Sequence, residues 1–563
     1  MPNKRTHRWH ILLAGWLLFL AGFWMPGKTI SAAMPDAEAV SSYVREQREA
    51  NRLPGLAVGI VEGDQVMYAR GFGNADPRGQ SISAQTPFII GSMSKAFTAV
   101  AIMQLVEAGT LDLDEPVRTY IPWFRTKDSV ESGRITVRQL LNQTSGIPHS
   151  IGLRWLIGTG DETRAQRVRQ LQQVSLAHPP GSEFEYSNAN YVVLGYLIDT
   201  VSGQIYEEYI RHHIFEPLEM NHSFVSQTEA MEAGMATGYR WWFGFPLPVD
   251  APYLQDQVPS EYIISSTEDM SHFLIAQLNG GQYHGRQILS PQGIRELQTP
   301  MVEIGAGKYA MGWMVTPVEG RTAMLHHGST ANFHSSMLLE PGDHTGIVVL
   351  ANVGVMGIGI MPGVTGEIAT GISDILRNEQ PVRTGPTMFT QYLIADILVV
   401  GLTLCVLLFG GLLNWWRRQL LIYHPDTRME LARRVILPLV VDSNWSLLIL
   451  FAFPMITNTP SWNYWTLYVP DFSYWLIIIS IITLVKFIAR SGRAFDALQY
   501  ASERLHRRTI IYLVFTVEAV YLALFLLIVA ISSTQMIFVI AILVVAFLLE
   551  LVSYPIKKST SDI

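Results

Sequence analysis

The sequence predicts an α+β domain built around an antiparallel sheet, followed by an all-α transmembrane region. Three observations carry that expectation. Hairpin-like strand pairs open and close the middle of the chain with mostly helical material between them, which places the terminal strands in one sheet. From about Gln391 onward, five long apolar stretches alternate with connections that are basic or free of Lys and Arg. An N-terminus that is basic, then apolar, then small-residue precedes both regions.

Composition agrees with this mixture. The 563 residues are 49% hydrophobic and 15% charged, whereas soluble domains carry about 25% charged residues. A net charge of −7 leaves no basic footprint, so no nucleic-acid partner is expected. No G-x-G-x-x-G opens a strand-to-helix turn, which removes the usual dinucleotide signature. The single cysteine, Cys405, excludes an internal disulfide and a Cys-rich metal site.

The elements follow in chain order. Residues 1–33 carry Lys4, Arg5 and Arg8, the apolar run Ile11–Met25 and the ending Ser31-Ala32-Ala33, the pattern of a signal peptide or, alternatively, an N-terminal anchor. Residues 34–380 form the α+β domain. Within it LAVGIVE and VMYARGFG, joined at Gly63-Asp64, read as a hairpin. SMSKAFTAVAIMQLVEAG reads as a helix stopping at Gly109. MLLEP and IVVLAN, joined through a Pro-Gly-Asp turn, read as a second hairpin. After a linker at 381–391, residues 392–563 hold the five stretches Leu393–Leu413, Val435–Ile456, Tyr468–Val485, Thr509–Ile531 and Met536–Tyr554. Each is long enough to cross a hydrocarbon core of ~30 Å. Arginines and lysines fill the first and third connections and follow the last stretch, whereas Thr457–Trp465 and Ser532–Gln535 hold none. The positive-inside rule then puts the α+β domain outside the cytoplasm and the C-terminus inside, in a multi-pass protein of the cell membrane whose partner is the lipid bilayer. Asp396, Asp442 and Glu518 fall within these spans, where carboxylates are costly.

Three motifs carry chemistry. Ser92-Met93-Ser94-Lys95 opens the helix after Gly91, and the spacing i, i+3 lets the Lys95 amine reach the Ser92 hydroxyl. Serine needs a base to become nucleophilic, and a partly desolvated lysine supplies one. Tyr186-Ser187-Asn188 offers a phenol for proton relay and an amide for binding a substrate amide. His326-His327-Gly328-Ser329 offers a histidine that donates to substrate and a glycine that lets backbone approach closely. A second His-x-Gly, His344-Thr345-Gly346, sits in the hairpin turn and reads as structural.

In this order, S-x-x-K, Y-x-N and H-x-G make the chain resemble the class C β-lactamase and penicillin-binding-protein-like family of serine hydrolases. Segments such as LLNQTSGIP, PPGSEFEYSNANYVVLGYLI, IISSTEDMSHFL and HHGSTANFHSSMLLEP extend the likeness from about Ala37 to Asn352. The resemblance implies a serine β-lactamase-like fold, in which helices flank the sheet, an all-α subdomain is added, and the site lies at their junction. It implies Ser92 as the acylated nucleophile and Lys95 with Tyr186 as the proton-transfer pair. Asn188 and His326 would line the site, Gly328 would admit substrate, and the N–H groups of Ser92 and Ser329 would form the oxyanion hole. It implies no metal and no cofactor.

His326 stands where true β-lactamases have lysine, which weakens attraction for a β-lactam carboxylate. Asn332-Phe333 stands where many relatives read Gly-Phe, so Asn332 is expected in a left-handed loop conformation; the alternative makes it a polar contact for a substrate side chain. The substrate is expected to be peptide-like: a D-amino-acid peptide, a wall-peptide fragment or an acyl-peptide prodrug. The alternatives are an esterase and a catalytically idle domain presenting ligand to a transport-type membrane region. All the acylation groups lie between Ser92 and Ser329, so the C-terminal region is expected to govern where substrate is met more than the chemistry.

Overall fold

The computed structural model describes residues 36–404 and 462–482, apart from 159–161, 306, 319–320, 355–362, 383–384, 398, 402 and 469. The 1–33 segment and three of the five apolar stretches lie outside the described residues, as do Asp442 and Glu518, and the stretches at 393–413 and 468–485 are described in part. Among the described residues no helix is long and apolar enough to cross a membrane.

Among the described residues, eight strands form one antiparallel sheet. They are β1 (Gly55–Glu62), β2 (Gln65–Gly73), β3 (Val302–Ile304), β4 (Gly307–Ala310), β5 (Trp313–Val318), β6 (Arg321–Ser329), β7 (His334–Glu340) and β8 (Thr345–Ala351), in the spatial order β2-β1-β8-β7-β6-β5-β4-β3. The hairpin read at Gly63-Asp64 is present, with Gly63 at φ 60°. So is the one between β7 and β8, where His344 turns the chain at φ 51° and is structural. β1 pairs with β8 from Leu56↔Ala351 to Glu62↔Thr345, so the two ends of the domain close on each other as expected.

The strand period sends alternate side chains to opposite faces. Leu56, Val58 and Ile60 of β1 join Ile347, Val349 and Leu338 in a core beneath α1 (Ala37–Ala50) and α5 (Gly363–Leu376). Ala57 and Val61 join Val348, Leu350 and Met337 in the larger core on the other face. That core contains α2 (Ser94–Glu107), α3 (Asn188–Ser202) and α4 (Thr267–Leu278). Helix α2 is apolar around most of its circumference, and a helix of that kind is buried on all sides. Residues between α2 and α3 make the all-α subdomain, from short helices such as Val137–Leu141 and Arg164–Gln170. Thr136 with Gln139, and Thr163 with Gln166, close capping boxes that satisfy free N–H groups in helices too short to hold by propensity.

Residues read as linker and first span also pack on the domain. Met388 and Tyr392 are buried in the core under α1 and α5. The Met388 N–H donates to Asn51 Oδ1 at 2.7 Å, and Tyr392 stacks on Trp241 with centroids 4.9 Å apart.

Candidate active site

Ser92 lies in a tight 3₁₀ turn, Gly91–Met93, that leads into α2 rather than in the α-helix itself. Gly91 sets this turn at φ 54°, a region open to glycine. A Cβ there would come 2.5 Å from the Ser329 backbone nitrogen. A Cβ on Gly328 would collide with the Ile90 carbonyl oxygen, which accepts from Ser335 Oγ at 2.8 Å. Two glycines thus allow the end of β6 to lie directly against the Ser92 turn, and they bring the Ser329 backbone beside the nucleophile.

Lys95, in the first turn of α2, is fully buried. Its Nζ lies 2.8 Å from Ser92 Oγ, 2.8 Å from Asn188 Oδ1 and 2.9 Å from the Ser260 carbonyl oxygen. The Tyr186 hydroxyl donates to Ser92 Oγ at 2.8 Å. Asn188 begins α3, and Tyr186 lies two residues before it, so the Tyr-x-Asn spacing delivers both side chains to Lys95. The preceding loop is held by Gln143, whose Oε1 accepts from the Ser187 N–H at 3.0 Å and from Asn190 Nδ2 at 2.5 Å. His149 Nδ1 donates to the Tyr186 carbonyl at 2.6 Å.

Glu261 is the residue that sequence reasoning missed. It sits in a π-type turn, Val258–Tyr262, and its Oε1 accepts from Asn188 Nδ2 at 2.6 Å. It lies 166 positions from Lys95, and no motif spacing marks it. Its one sequence signal is a lone carboxylate in the otherwise uncharged stretch Val258–Ile264. Burial lowers the Lys95 pKa to about 7, while the Glu261 charge opposes that fall. Burial raises the Glu261 carboxyl, and the Lys95 charge opposes the rise. Burial also pushes the Tyr186 phenol well above its usual value. These directions follow from removing charge from water and from pairing opposite charges.

His326 is fully buried, and its pKa falls to about 3, from burial first and the Lys95 charge second. Its Nδ1 lies 2.8 Å from the His327 carbonyl, which accepts only. The proton is therefore on Nδ1, and Nε2 presents a lone pair. His326 Nε2, Ser329 Oγ and Glu261 Oε2 are buried without a hydrogen-bond partner among the described residues. The expectation that His326 donates to substrate does not hold for this tautomer, whose buried Nε2 is an acceptor.

The structure brings Ser92, Lys95, Tyr186 and Asn188 into one hydrogen-bonded group, with Gly328 and Ser329 against its turn. Asn332 does not adopt the expected left-handed conformation. Its Oδ1 accepts from Thr330 Oγ1 at 3.2 Å, and its amide packs against Gly238. The β6–β7 turn is shaped by these contacts rather than by a left-handed residue.

Known proteins are similar to this chain in sequence and in fold. Residues 40–356 match the Beta-lactamase family. Protein flp of Staphylococcus aureus (strain NCTC 8325 / PS 47) is 30% identical over 467 residues, covering 79% of this chain and 88% of its own. The octameric penicillin-binding protein homologue from Pyrococcus abyssi superposes with a TM-score of 0.55 at 27% identity, covering 63% of this chain and 80% of that one. With a family match over more than half its length and an antiparallel sheet carrying the Ser-x-x-Lys turn at its helical junction, the chain belongs to the beta-lactamase family of serine hydrolases.

Proposed function

We propose that the protein is a membrane-bound hydrolase whose active site lies outside the cytoplasm and that cleaves an amide of a peptide-like substrate through an acyl-enzyme. The observation that carries this reading is Ser92 Oγ, held at 2.8 Å from both Lys95 Nζ and the Tyr186 hydroxyl. Near neutral pH a large share of Lys95 is neutral. Its two N–H groups then serve Asn188 Oδ1 and the Ser260 carbonyl, and its lone pair faces the Ser92 hydroxyl. Tyr186, with its raised pKa, stays protonated and acts as a relay rather than a standing base.

The steps follow from these roles. Ser92 Oγ bonds to the carbonyl carbon as its proton passes to Lys95 Nζ. The oxyanion that forms is met by the Ser92 and Ser329 backbone N–H groups. On collapse the carbon–nitrogen bond breaks, Tyr186 gives its proton to the leaving nitrogen, and Lys95 restores that proton to the phenolate. Water then attacks the ester, losing its proton to the same pair, and the acid departs as Ser92 regains its hydrogen. Asn188 holds the substrate amide. The His326 Nε2 lone pair can accept from a substrate N–H and offers nothing to a carboxylate such as that of a β-lactam. The anchoring half of the reading rests on the alternation of basic and uncharged connections between apolar stretches.

The test is a serine-reactive fluorophosphonate followed by peptide mapping, then a panel of D- and L-peptides and esters. The adduct is expected on Ser92, with Ser92→Ala silent in labelling and turnover. Labelling at another serine, or undiminished turnover in Ser92→Ala, overturns the reading.

A further inference from the structure

The strands Tyr239–Trp242 and Phe245–Pro248 form a hairpin that turns at Phe243-Gly244. Both turn residues have positive φ, 46° and 73°, as a two-residue hairpin turn of this twist requires. Cross-strand partners share a face, so Tyr239 and Trp241 lie on one side with Pro248 and Pro246. Arg240 and Trp242 lie on the other with Leu247 and Phe245. The first side is buried, because Tyr239 and Trp241 belong to the core under α1 and α5. An antiparallel pair packed on one face ordinarily turns polar residues outward on the other. Here the outward side carries Trp242, Leu247 and Phe245, the last 62% exposed. Its one charge, Arg240, donates from Nη1 to the Thr466 carbonyl at 3.1 Å.

This outward side is continuous with apolar surface from the C-terminal region. Trp242 meets the Tyr474 ring edge-on at 5.6 Å, and Trp242, Leu247 and Tyr474 line one groove. From Tyr474, the exposed Ile478 and Ile481 continue the surface at helical spacing. Ile397, Val400 and Leu404 make a second exposed stripe on the helical stretch that begins at Met388. The Trp475 indole N–H donates to Thr403 Oγ1 at 2.6 Å, which ties the two stretches together. The hairpin tip meets both where they begin. The Phe243 N–H donates to Asp471 Oδ2 at 3.0 Å, and a Cβ on Gly244 would lie 3.5 Å from the Phe389 ring. Single exposed apolar side chains are ordinary, but a contiguous set marks a contact surface.

We propose that the outward side of the hairpin Tyr239–Pro248 contacts lipid, seated among the headgroups of the outer leaflet. The proposal rests on the membrane-bound reading above and deepens it, because it gives the catalytic domain its own lipid contact. In that reading the stretches at 393–413 and 468–485 both enter the bilayer from outside, so Phe389 and Asp471 fall near one depth. The hairpin tip touches both and lies at that depth. Trp242 and Tyr474 are the ring types that collect at headgroup level. Phe245 and Leu247 reach the acyl boundary, as apolar faces of interfacial segments do to a depth of roughly 5–10 Å. The exposed Arg52 guanidinium lies 3.6 Å from the Phe389 ring centroid and 5.9 Å from that of Phe245, a cation placed to meet lipid phosphate. The base of the hairpin carries this contact toward the active site, where the Tyr239 N–H faces the Asn332 carbonyl of the β6–β7 turn at 3.2 Å. The site is thereby held at a fixed height above the lipid.

The experiment uses the full-length Cys405→Ser protein with one new cysteine, Phe245→Cys or Val130→Cys, labelled with a small environment-sensitive fluorophore. Val130 is an exposed apolar residue of the all-α subdomain and serves as the reference. Each protein is reconstituted into phosphatidylethanolamine–phosphatidylglycerol vesicles, with or without lipid that bears a doxyl quencher near its headgroup. The Phe245 label is expected to lose about half its emission to that quencher, and the Val130 label almost none. A Phe245 label untouched by doxyl lipid, in protein that floats with the vesicles, overturns the proposal alone; if that label is also shielded from aqueous iodide, the face belongs to a protein contact. Equal quenching at Val130 overturns it as well, as adherence without a preferred side. Should labelled Phe245→Cys melt below the parent, Leu247→Cys replaces it with the same expectations. Protein that does not float with the vesicles overturns the anchored reading and the proposal with it, and leaves the Ser92 chemistry standing.

Discussion

Lys95 is the residue on which the chemistry turns, because burial and a nearby carboxylate pull its proton affinity in opposite directions. Burial dominates and brings the amine to about 7. Acylation should therefore rise with pH through a limb near 7, as Lys95 loses its proton and becomes able to accept that of Ser92. Glu261 favours the ammonium, so Glu261→Gln should shift this limb to lower pH. A limb that stays in place when kcat/KM is measured for Glu261→Gln would remove the carboxylate from the charge balance. Ser92, Lys95, Tyr186 and Asn188 were legible because motif spacing survives folding: three helical steps join the first two, and a two-residue step brings in the others. Glu261 was not, because its approach to Asn188 depends on how the Val258–Tyr262 turn packs against α2 and α3. The tautomer of His326 also escaped the sequence, since a backbone carbonyl chooses it.

At the scale of elements, the site depends on how closely β6 lies against the turn before α2. That approach is set by Gly91 and Gly328, neither of which has a Cβ to hold the strand away. Gly91→Ala should meet both a strained φ and the Ser329 nitrogen, costing about 1–3 kcal/mol of stability. It should also slow Ser92 labelling in the molecules that remain folded. Thermal unfolding and labelling rate, measured together, check this; normal values for both would show that the turn relaxes freely. The two hairpins that join β1 to β2 and β7 to β8 were readable from period-two patterning and turn residues. The strands β3 to β5 were not, since the longest has six residues and Pro317 interrupts its pattern. Their place is fixed by pairing: β4 joins β5 from Lys308↔Val315 to Ala310↔Trp313.

For the whole molecule, the proposed layout has five spans after the catalytic domain and a cytoplasmic C-terminus. A reporter active only in the cytoplasm should work when fused after Ile563 and fail when fused at Thr459. The reverse pattern would invert the topology. The alternation of charge is what supports this layout. The return of the helix Trp462–Tyr468 to the catalytic core was not legible, because aromatic residues near Trp462 and Trp465 read equally well as an interfacial belt. That return has a consequence in time. Ninety residues separate Asn378 from Tyr468, and at 5–20 residues per second their synthesis takes roughly 5–18 s. Throughout that interval the nucleophile, its lysine and its tyrosine have all been made, while the core that Tyr464 joins is still incomplete. The catalytic domain is therefore expected to finish packing only after this part of the C-terminal region has been made.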